Sequence, residues 1–266
     1  MSNLPASSPI SRRRLMENTA ADREAELLLL DGSRRHIIDG LIFSPVRICR
    51  DEVLARTVDS PLVLIGEGVH DVSHDHIAID NVAASHAAIQ HLVEIGRRRI
   101  AFIGAGDDGD RQSAHLRMRG YREALAAAGL PYRPRLVAPT HEFGRHDGRK
   151  AMRDLLALGE LPDAVFGYND LVAIGALRAL TEAGYRVPED VAVIGIDDVE
   201  EGRFSTPTLT TIAPDKEAIG RLAVRRLVAR IEGTEVTAPL TVQTPLRLVR
   251  RESTNPRVAV ADRPDR

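Results

Sequence analysis

The sequence predicts an α/β fold, in which mostly parallel sheets carry helices on both faces. Two features of the 266-residue chain lead to this prediction. Short apolar runs alternate with stretches of helical period, and those stretches end at Gly or at Gly followed closely by Pro. Such alternation is typical of βαβ units with right-handed crossovers. The length suits one large domain or two lobes of ordinary size.

Each predicted strand is a short apolar run bounded by polar residues, Gly or Pro. The run DGLIFSP is closed by Pro45, and PLVLIG, RRIAFIG and VAVIGIDD have the same character. The predicted strands span 39–45, 61–66, 76–80, 98–104, 135–140, 163–170 and 191–198. A further, edge-exposed strand is expected to follow from Arg12–Arg14, and Asn18-Thr19 would turn it into a helix around 21–35.

The predicted helices alternate with these strands. NVAASHAAIQHLVEIG, for example, places its apolar residues on one helical face. The helices span 81–96, 117–130, 148–159, 171–184 and 215–233, with stops at Gly96, Gly129, Gly159, Gly184 and Gly233. The polar or Pro-rich ends, 1–10 and 256–266, are expected to be disordered.

The composition argues against several classes of protein. The chain has 36 basic and 38 acidic side chains, and only 3% aromatic residues with no Trp, which is unlike a surface that grips nucleic acid or stacks bases. Its single cysteine, Cys49, can form neither an intrachain disulfide nor a cysteine-based zinc site, which fits a reducing cytoplasm. With no apolar run of about 18 residues and no signal-peptide pattern, we expect a cytoplasmic protein without membrane contact.

Gly104, Gly106 and Gly109 have the G-x-G-x-x-G spacing of a dinucleotide-binding loop. However, three aspartates lie within or beside this loop, in GAGDDGDR, and would face a pyrophosphate with negative charge. The helix that should begin at once is also delayed by RQSAHLR. We therefore interpret the segment as an inter-element loop and expect no cofactor.

The run HDVSHDH at 70–76 holds side chains that can bind a transition metal. It lacks helical H-E-x-x-H spacing, so a solvated loop is favoured and no metal is expected. A catalytic Cys49 would need a His partner that one sequence cannot place, and no G-x-S-x-G elbow is present. An enzyme that uses the Asp and His groups remains an alternative.

Polar side chains that end apolar strands are more informative. Asn169 and Asp170 follow one predicted strand, and Asp197 and Asp198 follow another. The carboxyl ends of parallel strands form the crevice in which α/β folds bind ligands. Such side chains, together with the planar guanidinium of Arg117, suit a small polar ligand. The alternative is that one of Asn169 and Asp170 only caps the helix that follows.

Six stretches, in order, resemble a known family: DGLIFSP, HLVEIGRRRIAFIG, RMRGYREALAAAGL, AVFGYNDLVAIGALRALTEAGYRVPEDVAVIGIDDVE, PTLTTIAPDKEAIGRLAVRRLVARIEG and LRLVRREST. Together they resemble the effector-binding core of the LacI (lactose-repressor) family of bacterial transcription regulators. The resemblance implies a periplasmic-binding-protein-like I fold with two doubly wound parallel-sheet lobes and a small ligand between them. Lobe one would comprise 11–79 and 213–242, and lobe two 80–212 and 243–255.

The resemblance also implies which residues bind the ligand. Arg117 is the arginine of the R-x-x-G motif, Asn169 the asparagine of ND, and Asp197 the first aspartate of G-x-D-D. An effector that bridges the two lobes would shift an open–closed equilibrium.

Three further ligand-binding positions follow from the family pattern. Phe143 matches an aromatic residue that covers the ligand in some members. Ser44 matches a contact from lobe one, and Asp80, in IDN, matches a weaker candidate on the hinge side.

The chain departs from the family at its front. Family members begin with a helix-turn-helix, a hinge helix and the first βα unit, whereas RRRLMENTAADREAELL resembles the second strand and its helix. We therefore expect the first βα unit of lobe one to be missing. Operator DNA would be bound only through an N-terminal helix-turn-helix that is absent from this chain.

The family implies the effector-binding and dimerisation core of a DNA-binding transcription regulator, read here as a repressor. Its partners would be a second copy in a homodimer and a small-molecule effector that is sugar or nucleoside-like. A sugar-binding protein of a transport system with the same fold is the alternative, but the stretches VPEDVAVIGIDD and PTLTTI favour a regulator.

Overall fold

The computed structural model describes residues 15–19, 22–32, 38–66, 69, 72–105, 112–159, 161–234 and 238–255. Residues 12–14 at the front of the expected first strand, the ends expected to be disordered, and residues 106–111 of the glycine-containing loop lie outside this part of the chain. The elements run in chain order α1 (Arg23–Leu30), β1 (Leu41–Phe43), α2 (Arg50–Leu54), β2 (Leu62–Ile65), β3 (Asp75–Ile79), α3 (Asn81–Glu94), β4 (Ile100–Ala105), α4 (Gln112–Ala127), β5 (Val137–Pro139), α5 (Arg145–Ala157), β6 (Ala164–Gly167), α6 (Asp170–Glu182), β7 (Ala192–Ile196), α7 (Glu200–Phe204), β8 (Thr210–Pro214), α8 (Lys216–Glu232), β9 (Thr241–Thr244) and β10 (Leu246–Val249).

Lobe one is the sheet β1-β2-β3-β9 with the helices that cover it, and all its strand pairs are parallel. Because side chains alternate along a strand, β2 serves two cores. Leu62 and Leu64 pack with residues of α1 and α2, whereas Val63 and Ile65 pack with α8 on the opposite face.

Lobe two is the sheet β10-β8-β7-β6-β4-β5 with its helices, and it is parallel except for the antiparallel strand β10. Phe102 of β4 and Phe166 of β6 face a core shared with α3 and α4. Ala101 and Val165, one residue earlier in each strand, face a core shared with α5 and α6. The predicted α/β fold with helices on both faces of parallel sheets is confirmed.

The strand order of lobe two reverses at β4. From β4 the chain moves outward to β5 on one side, then returns through α5 to place β6 on the other side of β4. Ligands of open α/β sheets bind outside the carboxyl ends of the strands at such a switch point. The carboxyl ends of β4 and β6 therefore border the expected crevice.

Within the described residues, the chain passes between the lobes three times: at Asp80 between β3 and α3, at Asp215 between β8 and α8, and at Pro245 between β9 and β10. β8 continues in lobe two to Pro214, and β9 continues in lobe one to Thr244, slightly beyond the expected boundaries at 212 and 242. Within the part of the chain described, no helix combines the length and the apolar character needed to cross a membrane.

Several element bounds differ from the predictions. Residues 15–19 form no strand, and α1 is shorter than the expected helix at 21–35. It begins where the Asp22 carboxylate accepts a hydrogen bond from the Ala25 amide, and it ends before Gly32, whose φ of 75° is left-handed. α4 and α5 begin at Gln112 and Arg145, earlier than predicted, and the short helices α2 and α7 were missed because five residues carry little periodic signal.

Candidate functional site

Backbone strain marks the switch-point end of lobe two. Among the described residues, the non-glycine residues with positive φ are Phe143, Asp197 and Asp198, with φ of 56°, 115° and 49°. Such conformations cost free energy and cluster at ligand sites, where the surrounding structure enforces them. Phe143 and Asp197 are two of the six residues that the sequence indicated.

Arg117 brings a guanidinium into the interior of this end of the lobe. It projects from α4 and is only 3% exposed. Its Nε donates to Asn81 Oδ1 at 2.6 Å, and its Nη1 donates to the backbone oxygen of Tyr168 at 2.5 Å. Its Cζ lies 4.3 Å from the centroid of the Tyr168 ring. These contacts hold the guanidinium plane in one orientation beside the ends of β4 and β6.

Tyr168 and Phe143 form an aromatic pair next to Arg117. Their ring centroids are 4.1 Å apart, and the Tyr168 hydroxyl lies 2.7 Å from Ser113 Oγ. Gly104 of β4 leaves space for the Tyr168 side chain, because a Cβ at Gly104 would lie 2.1 Å from Tyr168 Cβ. Phe143 is only 8% exposed, so the structure places it in the lobe-two core as well as at the edge of the site.

Asn169 takes the capping role that the sequence left open between it and Asp170. Its Oδ1 accepts from the Val172 amide at the start of α6, and its Nδ2 donates to the Phe143 backbone oxygen at 3.1 Å. The side chain therefore fixes the loop that carries Phe143. Its role as a ligand contact stays a prediction.

Asp170 is instead fully buried beneath the turn that carries Asp197 and Asp198. Burial raises its pKa to about 7, although it accepts hydrogen bonds from Thr211 Oγ1 and the Val199 amide. Burial also opposes ionisation of Asp198, but hydrogen bonds from Arg251 and Arg203 outweigh this effect and hold its pKa below the usual range.

Asp80 lies at the first lobe crossing, and Ser44 lies in lobe one. Asp80 caps α3, with Oδ1 accepting from the Ala83 amide, and its neighbour Asn81 contacts Arg117. Ser44 is exposed directly after β1 in lobe one. Among the described residues, no recorded hydrogen bond joins it to the group around Arg117. The loop after Ser44 is fixed by the fully buried Glu26, whose carboxylate accepts from the amides of residues 46–48.

At its C-terminal end, the histidine-rich run at 70–76 differs from the expected solvated loop. Its described end enters β3, where Asp75 and His76 are each 2% exposed. Asp75 is paired with Arg226 and Arg230, because α8 packs over this strand. Among the described residues, no three His, Cys, Asp or Glu side chains form a group that could hold a metal ion.

Three residues that contribute to the site were not predicted from the sequence. Asn81 orients Arg117, Tyr168 supplies an aromatic face, and Thr211 links Asp170 to the turn after β7. Tyr168 stands directly before the ND motif, so its position at the strand end was available from the sequence. The pairings of Asn81 and Thr211 depend on residues far away in the chain.

Two α/β lobes joined by three crossings, with a polar cluster at a switch point, define a periplasmic-binding-protein-like domain. A family model of the periplasmic binding protein-like domain matches residues 89–254. The chain belongs to the LacI family of transcriptional regulators. The family expected from the sequence is thus confirmed.

Four comparisons illustrate this membership. A solved LacI-family transcriptional regulator from Sanguibacter keddieii is 41% identical, with a TM-score of 0.81 over 91% of this chain and 86% of that chain. The HTH-type transcriptional regulator CelR of Thermobifida fusca is 38% identical over 81% of this chain and 63% of its own length. A solved complex of CelR with cellobiose is 37% identical, with a TM-score of 0.74 over 86% and 69% of the two chains. A solved lac repressor dimer, bound to operator and the anti-inducer ONPF, is 26% identical, with a TM-score of 0.74 over 86% and 78%. The chain thus spans less than two thirds of the length of CelR.

Proposed function

We propose that the chain is the effector-binding and dimerisation core of a LacI-type transcriptional repressor that responds to a sugar. The observation that carries this proposal is the buried, oriented guanidinium of Arg117 beside the strained turn of Asp197 at the switch point of lobe two. The family membership supports a regulator rather than a transport protein. We further propose that it acts in the cytoplasm and binds its effector without turnover. The regulator of which it is the core would bind operator DNA through a helix-turn-helix of the kind named in CelR.

The chemistry of the site favours a polyhydroxylated ring. Arg117 can donate to ligand oxygens, the Asp197 carboxylate can accept from ligand hydroxyls, and the Tyr168–Phe143 pair offers an aromatic edge on which a sugar ring can pack. The cellobiose bound by CelR has this chemistry. A nucleoside, which also combines a ring with hydroxyls, is the second ligand class to test.

Regulation would follow from the two-lobed architecture. An effector that contacts lobe two at Arg117 and lobe one near Ser44 binds the closed arrangement more tightly than the open one. It therefore shifts the equilibrium between them in proportion to that difference in affinity. The three crossings at Asp80, Asp215 and Pro245 are the segments about which the lobes would move.

Calorimetry with cellobiose, ribose and cytidine tests this proposal. We expect one of these ligands to bind, and Asp197→Asn and Arg117→Gln each to weaken binding at least about tenfold, since each removes a charged hydrogen-bonding partner. Arg119→Ala, on the same helix as Arg117 but in an exposed pair with Glu123, should leave the affinity unchanged.

Circular dichroism of each variant separates lost binding from lost folding. This matters for Arg117→Gln, because its removal leaves the buried acceptor of Asn81 without its partner. Unchanged affinity in both site variants, with the fold retained, contradicts the proposed site. Binding of none of the three ligands contradicts the proposed effector class.

A further inference from the structure

We propose that Asp170 is a positioning residue, which holds the Asp197–Asp198 turn in the conformation that binds the effector. This inference rests on the proposed function of the site. It assigns Asp170 a role different from the helix cap, which Asn169 already provides.

The carboxylate of Asp170 reaches two consecutive amides of the turn. Val199 N donates to Asp170 Oδ2 at 2.9 Å. Asp198 N donates to Thr211 Oγ1 at 3.3 Å, and that hydroxyl donates to Asp170 Oδ1 at 2.7 Å. One carboxylate therefore fixes the turn directly through one oxygen and through a hydroxyl relay by the other. Asp170 and Thr211 are both fully buried, so water does not compete for these hydrogen bonds.

The turn needs such a restraint because its backbone is strained. Asp197 and Asp198 both have positive φ, which an L-residue with a side chain adopts only when its surroundings enforce it. The Asp197 amide is also fixed, donating to Ile212 O at 3.0 Å. Asp170 completes this set of restraints from the side of β6, and thereby couples the loop of Asn169 to the turn of Asp197.

Close packing leaves Asp170 little freedom to turn away. Gly195 lies beside it in β7, and a Cβ at this glycine would lie 2.3 Å from Asp170 Oδ1. The carboxylate thus occupies the space that a side chain at Gly195 would fill. A larger residue at Gly195 would push the carboxylate off the turn.

The charged groups around Asp170 suggest a second measurement, the pH dependence of effector affinity. Asp197 and Asp198 face it from the turn, and Asp198 is itself paired with Arg203 of α7, Arg251 and Arg247. Burial, with a smaller contribution from the two aspartates, raises the Asp170 pKa to about 7. The ionised carboxylate accepts both hydrogen bonds strongly, whereas the protonated form gives up one acceptor position. Effector affinity should therefore be weaker at pH 6 than at pH 8.

The test uses Asp170→Asn in the full chain, because the amide keeps the size of the carboxyl but faces one of the two donors with an NH₂ group. Amide hydrogen exchange of the peptide that contains residues 197–199 reports the turn, and calorimetry with cellobiose, or with whichever ligand of the panel binds, reports affinity. We expect faster exchange in the turn and roughly tenfold weaker binding at pH 8. The dependence of affinity on pH between 6 and 8 should be lost.

Two further variants test whether these effects are specific to the hydrogen bonds that Asp170 makes at the turn. Thr211→Val removes the relay alone and should change exchange and affinity in the same direction. Asp163→Asn removes a carboxylate that accepts from the Arg98 and Arg99 amides at the opposite end of β6, so it should leave both measurements at the turn unchanged.

The inference is overturned if Asp170→Asn and Thr211→Val leave exchange in the turn unchanged. It is equally overturned if the turn loosens but affinity does not fall, while Asp197→Asn abolishes binding. If Asp197→Asn and Arg117→Gln also bind normally, the proposed site itself is wrong. If the wild type binds none of the panel, the proposed effector class is wrong, and the exchange measurement alone then decides whether Asp170 holds the turn.

Discussion

Arg117 is charged and only 3% exposed, so its contacts decide whether lobe two tolerates it. A buried charge is costly unless it is paired or fully hydrogen-bonded. Arg117 has the Asn81 oxygen, the Tyr168 backbone oxygen and the face of the Tyr168 ring. None of these partners is anionic. Within the described residues, the guanidinium is thus held in place by neutral groups, which suits a group that recognises an oxygen-rich ligand.

Asn81→Ala tests how much this arrangement depends on one acceptor. The substitution leaves Arg117 Nε without its partner, and we expect the free energy of unfolding to fall by about 1–3 kcal/mol. Chemical denaturation measures the change. Gln90→Ala is the matched control. Gln90 lies on the same helix, is exposed and donates a hydrogen bond to the exposed Glu94. A loss at Asn81 no larger than at Gln90 would contradict the role given to Asn81.

The residues of the site were predictable only where local sequence carries the signal. Polar residues that end apolar strands identified Asn169 and Asp197, and the family motif identified Arg117. The partners were not predictable, since Arg117 contacts Asn81 across 36 positions and Asp170 contacts Thr211 across 41. Such pairs form only when separate βα units pack, and no pattern in a single sequence specifies them.

At the scale of whole elements, ion pairs with one buried carboxylate hold α8 against the sheet of lobe one. Asp75, at the start of β3, accepts hydrogen bonds from Arg226 and Arg230 of α8, and from the Leu240 amide just before β9. Burial opposes ionisation of Asp75, but these donors outweigh it and lower its pKa to about 2. One carboxylate thus joins a helix to two strands of the sheet that it covers.

Asp75→Asn should therefore weaken lobe one. We expect a loss of about 3 kcal/mol at pH 7, because two partly buried arginines lose their buried anion. Since the folded-state pKa lies below the unfolded value of 3.8, this stabilisation is present above about pH 4 and is lost as the pH falls towards 2. Urea unfolding of both proteins at pH 7 and pH 3 tests this. The difference between their free energies of unfolding should be smaller at pH 3. Glu217→Gln, in an exposed pair with Arg221 on the same helix, should cost less than about 1 kcal/mol.

Element boundaries were the weakest part of the sequence-based prediction. The run at 70–76 was predicted to be a solvated loop because it is rich in polar and charged residues. The arginines of α8 that pair with Asp75 lie far away in the chain. α7 was missed because its five residues, Glu200–Phe204, contain too little periodicity to signal a helix. The long helices and the strands β1 to β7 were recognised, since their apolar patterns can be read without tertiary context. The strands β8, β9 and β10 were not predicted, although β8 is buried.

At the scale of the whole molecule, each lobe has hydrophobic clusters on the two faces of its sheet. The cluster around Phe102 also reaches Ile79 and Ile219 of lobe one. Within the described residues, the chain passes between the lobes at Asp80, Asp215 and Pro245. Few covalent connections and mainly separate cores allow the lobes to move as bodies about these segments. A ligand between them can therefore act on their arrangement without unfolding either core.

Association of two copies would carry that change of arrangement beyond one chain. The solved lac repressor relative is a dimer, and Phe204 on α7 of this chain is 79% exposed. Because α7 directly follows the Asp197–Asp198 turn, a contact through Phe204 would connect the effector site to the second copy. Exposed aromatic residues are frequent anchors of interfaces, since they bury a large rigid surface.

Phe204→Ser should weaken the dimer for this reason. Sedimentation of the wild type over a range of concentrations gives its dimer dissociation constant, and we expect the variant to raise this constant at least about tenfold. Leu158→Ser is the matched control, because Leu158 is also exposed, at 56%, but follows the far end of α5. A wild type that is monomeric at all concentrations would contradict the proposed homodimer. An unchanged constant for Phe204→Ser would place the interface on another surface and separate it from the effector turn.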